Sequence, residues 1–348
     1  MIKMRTNQKH RKVYRSNDII RQIINLALIG IGFGVLLGSL LKIIPNNKIS
    51  TKTFAKQNNE KEITLDSEFS HEIHTRISTL ESKWKEIDTK NNALKASGYV
   101  LLEDGRYAEL NSNQIAPAAS TIKIPILLIC LKMVGSGELK WNEKVTLTKD
   151  DVAEGSGWIR YQPLGKEFFI HEIATEMIRV SDNTATNLLI RKIGGINTIN
   201  QRFNMIGLKA TKINSLLPDL QGTNTTTTKE LVKILELALK KNFLSIEARD
   251  LFRDVLSTSV SNKLIPDGVL EGLGKENGNS DYKLLIEGLR VFNKTGDIGT
   301  AYGDAALIQM PNNTNVFASF IVQGPFNDQR SPELIRKLTA SMIRVIKD

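Results

Sequence analysis

The sequence predicts an α+β domain whose sheet is completed by strands from both ends of the chain, preceded by one membrane-spanning helix. Three observations predict it. A pair of strand-like runs flanks a turn at Asp104-Gly105, helical periodicity fills the middle from Ser120 to about Val260, and strand-like runs return at 290–322 before a closing helix. An uncharged apolar run near the start supplies the spanning helix.

The first 21 residues are basic: Lys3, Arg5, Lys9, Arg11, Lys12, Arg15 and Arg21 are opposed by Asp18. From 22 to 41 no residue is charged, and twenty residues at about 1.5 Å each give roughly 30 Å, the thickness of the hydrocarbon core. Residues 22–44 are therefore expected to cross a membrane once, with the basic tail 1–21 cytoplasmic and the remainder exported. A cleaved signal peptide is the rival. Against it, the apolar run exceeds the usual core of about 7–15 residues, and Ser39-Leu40-Leu41-Lys42 offers no small-x-small cleavage site. Gly30, Gly34 and Gly38 share one helix face and could let the anchor dimerise weakly, although glycine is also simply common in membrane helices. Residues 45–66 are polar and weakly periodic, a tether to a folded body over 67–348.

In that body, Phe69, Ile73, Ile77, Leu80, Trp84 and Ile87 recur at steps of three and four, one stripe of an amphipathic helix that packs on its own domain or pairs two chains. His71 and His74 lie on it without a carboxylate or cysteine at ligand spacing, so no metal is expected. The runs 99–102 and 107–110 form a hairpin, since Asp104-Gly105 suits the positive φ of a tight turn. The middle holds helices at 168–180 and 184–193, with stops at Gly194-Gly195 and Gly207. Strands follow at 290–293, 305–310 and 316–322. The closing helix starts at Ser331-Pro332, where Ser can cap and Pro suits the first helical position.

Composition narrows the function. Of 348 residues 41% are hydrophobic, enough for a sizeable core, and the single Cys130 excludes an internal disulfide and any multi-cysteine metal site. The net charge of +10 invites a nucleic-acid reading, but residues 1–60 hold 11 Lys+Arg against 2 Asp+Glu, leaving the rest close to neutral. In that near-neutral remainder basic runs with interleaved aromatics are absent, so nucleic acid is not an expected partner.

Three short motifs carry chemistry. In Ser120-Thr121-Ile122-Lys123 a helix starting at Ser120 puts hydroxyl and amine on one face, and a lysine whose charged form is disfavoured can take the serine's proton. Ser181-Asp182-Asn183 lies between two helices, where Ser181 can relay a proton and Asn183 can bind a peptide-like substrate; the same residues suit a plain N-cap. Lys294-Thr295-Gly296 ends the strand at 290–293. Its Gly lets a substrate lie against the strand edge, Thr donates a hydroxyl, and Lys294 attracts a carboxylate while disfavouring charge on Lys123.

In this order the three motifs resemble the signature of class A β-lactamases and penicillin-binding proteins. The resemblance runs from about Ser97 to the C-terminus and includes SDNTATNLLIRKIGG and NKTGDIG. It implies the β-lactamase/transpeptidase-like fold, an antiparallel sheet beside an all-helical lobe with the site between them. It also implies Ser120 as acylated nucleophile, Lys123 and Ser181 sharing proton transfer, Asn183, Lys294, Thr295 and Gly296 binding substrate, and the backbone N–H groups of Ser120 and Asp297 as oxyanion hole. No cofactor is implied. A Ser-His-Asp hydrolase is disfavoured, because G-x-S-x-G is missing and His171 is the only histidine from Ser97 onward.

Two departures bear on activity. Where class A β-lactamases carry E-P-x-L-N, this chain reads Leu217-Pro218-Asp219-Leu220-Gln221, and leucine cannot serve as the general base of deacylation. Asp219 is the nearest acid, but two residues along a loop it should point elsewhere. The following QGTNTTTT is shorter than the family's loop, and the LPDL-x-GTNTT pattern resembles the cyanobacterial penicillin-binding protein A group. After the third motif Gly303 and Asp304 stand where an arginine is expected, which leaves carboxylate recognition to Thr295 and Lys294. The expected activity is a membrane-anchored, penicillin-binding DD-peptidase type of serine hydrolase, acting on D-Ala-D-Ala-type peptidoglycan peptides and on β-lactams with slow deacylation. A true β-lactamase and a non-catalytic wall-binding or sensor domain are the alternatives.

Overall fold

The computed structural model describes residues 75–276 and 279–347. The basic tail, the spanning segment with Gly30, Gly34 and Gly38, the tether, and His71 and His74 lie outside the described residues. Among the described residues no helix is long and apolar enough to cross a membrane.

The sheet has six strands. Strand β1 (Thr75–Arg76) runs parallel to β3 (Arg106–Leu110), which pairs antiparallel with β2 (Lys95–Leu102). From β2 the antiparallel order continues through β10 (Asn315–Gln323) and β9 (Ala301–Gln309) to β8 (Arg290–Asp297). The first hairpin and the last three strands are thus joined at β2 and β10, as the strand-like runs at the two chain ends predict. Gly105 takes a φ of 83° in the hairpin turn.

Alternation along the strands feeds two cores. Tyr99, Leu101, Ala305, Leu307, Phe317 and Ile321 face a helical lobe, whereas Val100, Leu102, Ala306, Ile308, Ala318 and Phe320 face the opposite layer. That opposite layer consists of α1 (Ser78–Thr89), α8 (Ile265–Gly272), α9 (Ser280–Ile286) and α10 (Arg330–Lys347). The lobe comprises α2 (Lys123–Gly135), α3 (Ile170–Arg179), α4 (Asn183–Ile193), α5 (Gly195–Met205), α6 (Thr228–Leu237) and α7 (Ile246–Ser257). Helix α2 is buried on nearly every side and forms the lobe's axis. Two small ribbons lie outside the main sheet: β4 (Ala116–Pro117) pairs with β7 (Thr225–Thr226), and β5 (Lys144–Thr146) with β6 (Glu167–Phe169).

Four boundaries differ from the sequence expectation. The stripe expected from Phe69 does not begin a helix within the described residues until Ser78, because Thr75 and Arg76 pair with β3 and Ile77 N donates to Tyr107 O at 2.7 Å. The rest of the stripe, Ile77, Leu80, Trp84 and Ile87, packs on its own domain. Phe168 and Phe169 leave the expected helix for β6, and the helix starts where Glu172 accepts a hydrogen bond from Phe169 N at 2.7 Å. Ser120 sits in a 3₁₀ turn (Ala119–Ile122), with α-helix proper starting at Lys123. Lys294-Thr295-Gly296 lies inside β8 and does not end a strand, because pairing with β9 extends to Asp297.

Trp84 fastens α1 to α10 and to β10. It is fully buried, its Nε1 donates to Leu338 O at 3.0 Å, and its ring meets Phe320 edge-on at 5.3 Å. Trp84→Ala should cost about 3–5 kcal/mol, read as a lower urea midpoint with an unchanged slope. A loss below about 1 kcal/mol would show that α1 contributes little to the core.

Candidate active site

The three motifs converge at the junction of the lobe and the sheet. Ser120 stands half-buried on the turn before α2, and Lys123 one turn later is fully buried. Lys123 Nζ lies 3.1 Å from Ser120 Oγ, 2.9 Å from Ser181 Oγ, 2.7 Å from Ser181 O and 2.9 Å from Asn183 Oδ1. Ser181 Oγ lies 2.9 Å from Ser120 Oγ, closing a triangle of two hydroxyls and one amine. Asn183 Nδ2 donates to Glu154 O at 2.8 Å, which turns its Oδ1 towards the lysine.

Burial pushes Lys123 well below the ordinary lysine range; the charge of nearby Lys294 adds to this and Asp182 opposes it. Its surroundings suit a neutral amine. The Ser181 carbonyl and Asn183 Oδ1 accept only, so they take both N–H groups and leave the lone pair for a hydroxyl proton. A hydroxyl beside such an amine can lose its proton as it attacks a carbonyl, and Ser181 can pass that proton on.

The local fold holds this geometry under strain. Ala119 and Ser181 adopt φ of 45° and 60°, the left-handed region that costs a non-glycine residue energy unless its surroundings enforce it. At Ser181 the enforcement comes from Asp182. Its Oδ1 accepts from Ala185 N at 2.8 Å, capping α4, while Oδ2 accepts from Trp158 N at 2.7 Å and Ile159 N at 2.9 Å. The N-cap reading and the cleft reading of Ser181-Asp182-Asn183 therefore hold together, with the middle residue capping and its neighbours facing Lys123. Gly157 permits the close approach: at φ 103°, a Cβ there would lie 2.1 Å from Asp182 Cγ.

Strand β8 closes the other side. A Cβ on Gly296 would stand 2.9 Å from both Ser120 N and Ala119 Cβ, so the bare glycine lets the strand press on the nucleophile's turn and brings Asp297 beside it. Thr295 is half-buried and Lys294 buried. Burial lowers Lys294 to about 8, with Asp304 opposing, and burial raises Asp304 to about 7. Asp304 accepts from Asn293 Nδ2 at 3.0 and 3.1 Å and from Ile265 N at 2.9 Å. It is thus an interior anchor joining β8, β9 and α8.

Leu217 is buried, and its backbone is clamped by Asn187: Leu217 N donates to Oδ1 at 2.9 Å and Nδ2 donates to Leu217 O at 2.8 Å. Asn187 lies one helical turn after Asn183, and no sequence motif marks it as the partner of Leu217. Gly157, Asn187 and the anchoring role of Asp304 emerge from the structure alone. Among the described residues no group of His, Cys, Asp and Glu could hold a metal ion.

Linkage gives a test of the buried amines. Between pH 8 and 10.5 the unfolded chain keeps a proton on Lys294 that the folded domain has released. Stability therefore rises with pH, at about 1.4 kcal/mol per unit per proton. Lys123 acts in the same direction. Lys294→Met should flatten the rise of unfolding free energy across this range; an unchanged slope would mean that the amine stays charged in the folded state.

Comparison with known proteins agrees with the geometry. The profile of the β-lactamase enzyme family matches residues 79–346. The β-lactamase BRO-1 of Moraxella catarrhalis is 27% identical over 285 residues, 77% of this chain and 84% of that protein. The β-lactamase of Bacillus licheniformis is 28% identical over 166 residues, which is 44% of this chain and 52% of that protein, about half its length. Among solved structures, PBP-A superposes with a TM-score of 0.72 at 33% identity, covering 79% of this chain and 98% of that one. A leucine-to-glutamate variant of PBP-A, solved as its acyl-enzyme complex with penicillin G, gives the same values. The chain belongs to the β-lactamase enzyme family and is a serine hydrolase or acyl-transferase of its class A β-lactamase and penicillin-binding protein group.

Proposed function

We propose that the protein is a penicillin-binding DD-peptidase type of enzyme, anchored in a bacterial plasma membrane by residues 22–44, with residues 67–348 outside the cytoplasm. Ser120 Oγ attacks the carbonyl carbon of a D-Ala-D-Ala-type amide of wall peptide, or of a β-lactam, as Lys123 takes the hydroxyl proton. The N–H groups of Ser120 and Asp297 receive the developing oxyanion, each worth typically about 3 kcal/mol. Collapse breaks the C–N bond, the proton returns through Ser181 to the leaving nitrogen, and an ester to Ser120 remains. Asn183, Thr295 and Lys294 hold the substrate, with Gly296 leaving room along β8. Water or an amine then releases the acyl group. The low net charge of the exported part leaves the basic N-terminus to orient the anchor.

The observation that carries this reading is the closed triangle of Ser120, Lys123 and Ser181 beside a loop with leucine at 217. The similarity to PBP-A, at 33% identity, supports it further. The names of the curated relatives favour a true β-lactamase, but that activity needs a base for deacylation. Asp219, the nearest acid in sequence, already accepts hydrogen bonds from Thr223 N, Thr223 Oγ1 and Asn224 N.

Mass spectrometry after mixing with a labelled penicillin should find Ser120 modified for minutes or longer. Fast steady-state turnover of nitrocefin would refute slow release, and absence of any adduct would favour a non-catalytic binding domain. Leu217→Glu should speed deacylation by about 10²–10⁴-fold; an unchanged adduct lifetime would remove Leu217 from the deacylation site.

A further inference from the structure

We infer that Asp219 is a positioning residue for the nucleophile, holding through Asn224 the turn that presents Ser120. The inference rests on the proposed acylation of Ser120 and concerns how the loop 214–224 shapes that step.

Asp219 is almost fully buried. A buried carboxylate is tolerated only with its oxygens hydrogen-bonded. Here Oδ1 accepts from Thr223 N at 2.9 Å and Thr223 Oγ1 at 2.8 Å, and Oδ2 accepts from Asn224 N at 2.7 Å. These bonds reach four and five residues ahead and fold the segment into a closed loop. Asn224, completely buried, continues the frame: its Oδ1 accepts from Asn214 N at 2.7 Å and Ser215 N at 3.0 Å, and its Nδ2 donates to Ser215 O at 3.1 Å.

The frame ends at the nucleophile. Ala118 N donates to Asn224 O at 2.8 Å. Ala118 O in turn accepts from Thr121 N at 3.0 Å and Thr121 Oγ1 at 2.6 Å, closing the turn that contains Ser120 and the strained Ala119. The loop also touches both flanks of the proposed oxyanion hole. A Cβ on Gly222 would lie 2.9 Å from Pro117 Cβ, before Ser120, and 2.9 Å from Ile298 Cδ1, after Asp297. One loop thus sets the spacing of the two backbone donors, and Asp219 folds that loop.

Asp219→Asn puts an amide donor where Oδ1 or Oδ2 now accepts. The limiting rate of Ser120 acylation at saturating labelled penicillin should fall by about 10²-fold, the usual cost of misplacing a reacting group by about 1 Å. The half-saturating concentration should change little. Ala118→Pro cuts the same link from the other side: Ala118 φ is −74°, which proline accepts, and the substitution deletes the N–H that reaches Asn224. It should slow acylation similarly, and the double variant should be no slower than the worse single one. Rates are to be taken per folded molecule, at a temperature where circular dichroism matches the wild type. A lowered melting temperature with an unchanged limiting rate in both variants would overturn the inference, as would effects that multiply in the double variant. A wild type that forms no adduct would refute the acylation reading and this inference together, whereas a wild type that acylates beside equally fast variants would refute the inference alone.

Discussion

The structure depends on burying a lysine whose charged form is disfavoured. Lys123 is fully buried with no carboxylate bonded to it, and an ammonium in that position would lose its hydration without a hydrogen-bonded counter-charge. Burial thus disfavours the charged form, and the oxygens around Nζ must come from fixed groups. The turn at Ser120 supplies one of them, and the segment Ser181–Asn183 supplies the other three. The strained φ values at Ala119 and Ser181 follow from the same demand, since each turns a chain segment towards one point in the interior.

Two carboxylates support this point without touching the nucleophile. Asp182 joins the start of α4 to the loop at Trp158 and Ile159, fixing the carbonyl and hydroxyl of Ser181 from behind. Asp304 does the equivalent for β8, tying Asn293 to the start of α8 one residue before Lys294. Lys294 and Asp304 are both drawn towards neutral pH by burial, to about 8 and about 7. Substitution of either should therefore disturb the charge of the other. The lobe and the sheet each contribute a buried acid that orders a motif, and the cleft lies where the two ordered segments meet.

Much of this was legible because it follows from short-range rules. The hairpin at Asp104-Gly105 depends on a turn dipeptide and period-two alternation, and the Ser120–Lys123 pairing on one helical turn. The convergence of the three motifs was legible through family resemblance, not through spacing, since no local rule brings Ser181 to Ser120 across 61 residues. What escaped the sequence was set by tertiary hydrogen bonding. Pairing with Arg106 and Tyr107 drew Thr75 and Arg76 out of an apolar helical stripe, and pairing with β9 carried β8 through Asp297. Asn187 reaches Leu217 across 30 residues, and Asn224 reaches Ala118 from far along the chain; neither bond leaves a periodic trace.

The loop after Leu217 shows how one acid can be removed from chemistry by folding. A general base needs a lone pair directed at water, but Asp219 offers its oxygens to the backbone and hydroxyl of Thr223 and to the backbone of Asn224. A longer loop could hold its shape with several weaker contacts and keep a carboxylate free. A short one has few residues to cap its own N–H groups, and a carboxylate caps several of them at once. On the reading proposed for this enzyme, shortness of the loop, leucine at 217 and the inward turn of Asp219 are three sides of one arrangement. The loop is built to hold the nucleophile's turn in place, and the same construction removes the nearby acid that could hasten release of the acyl group.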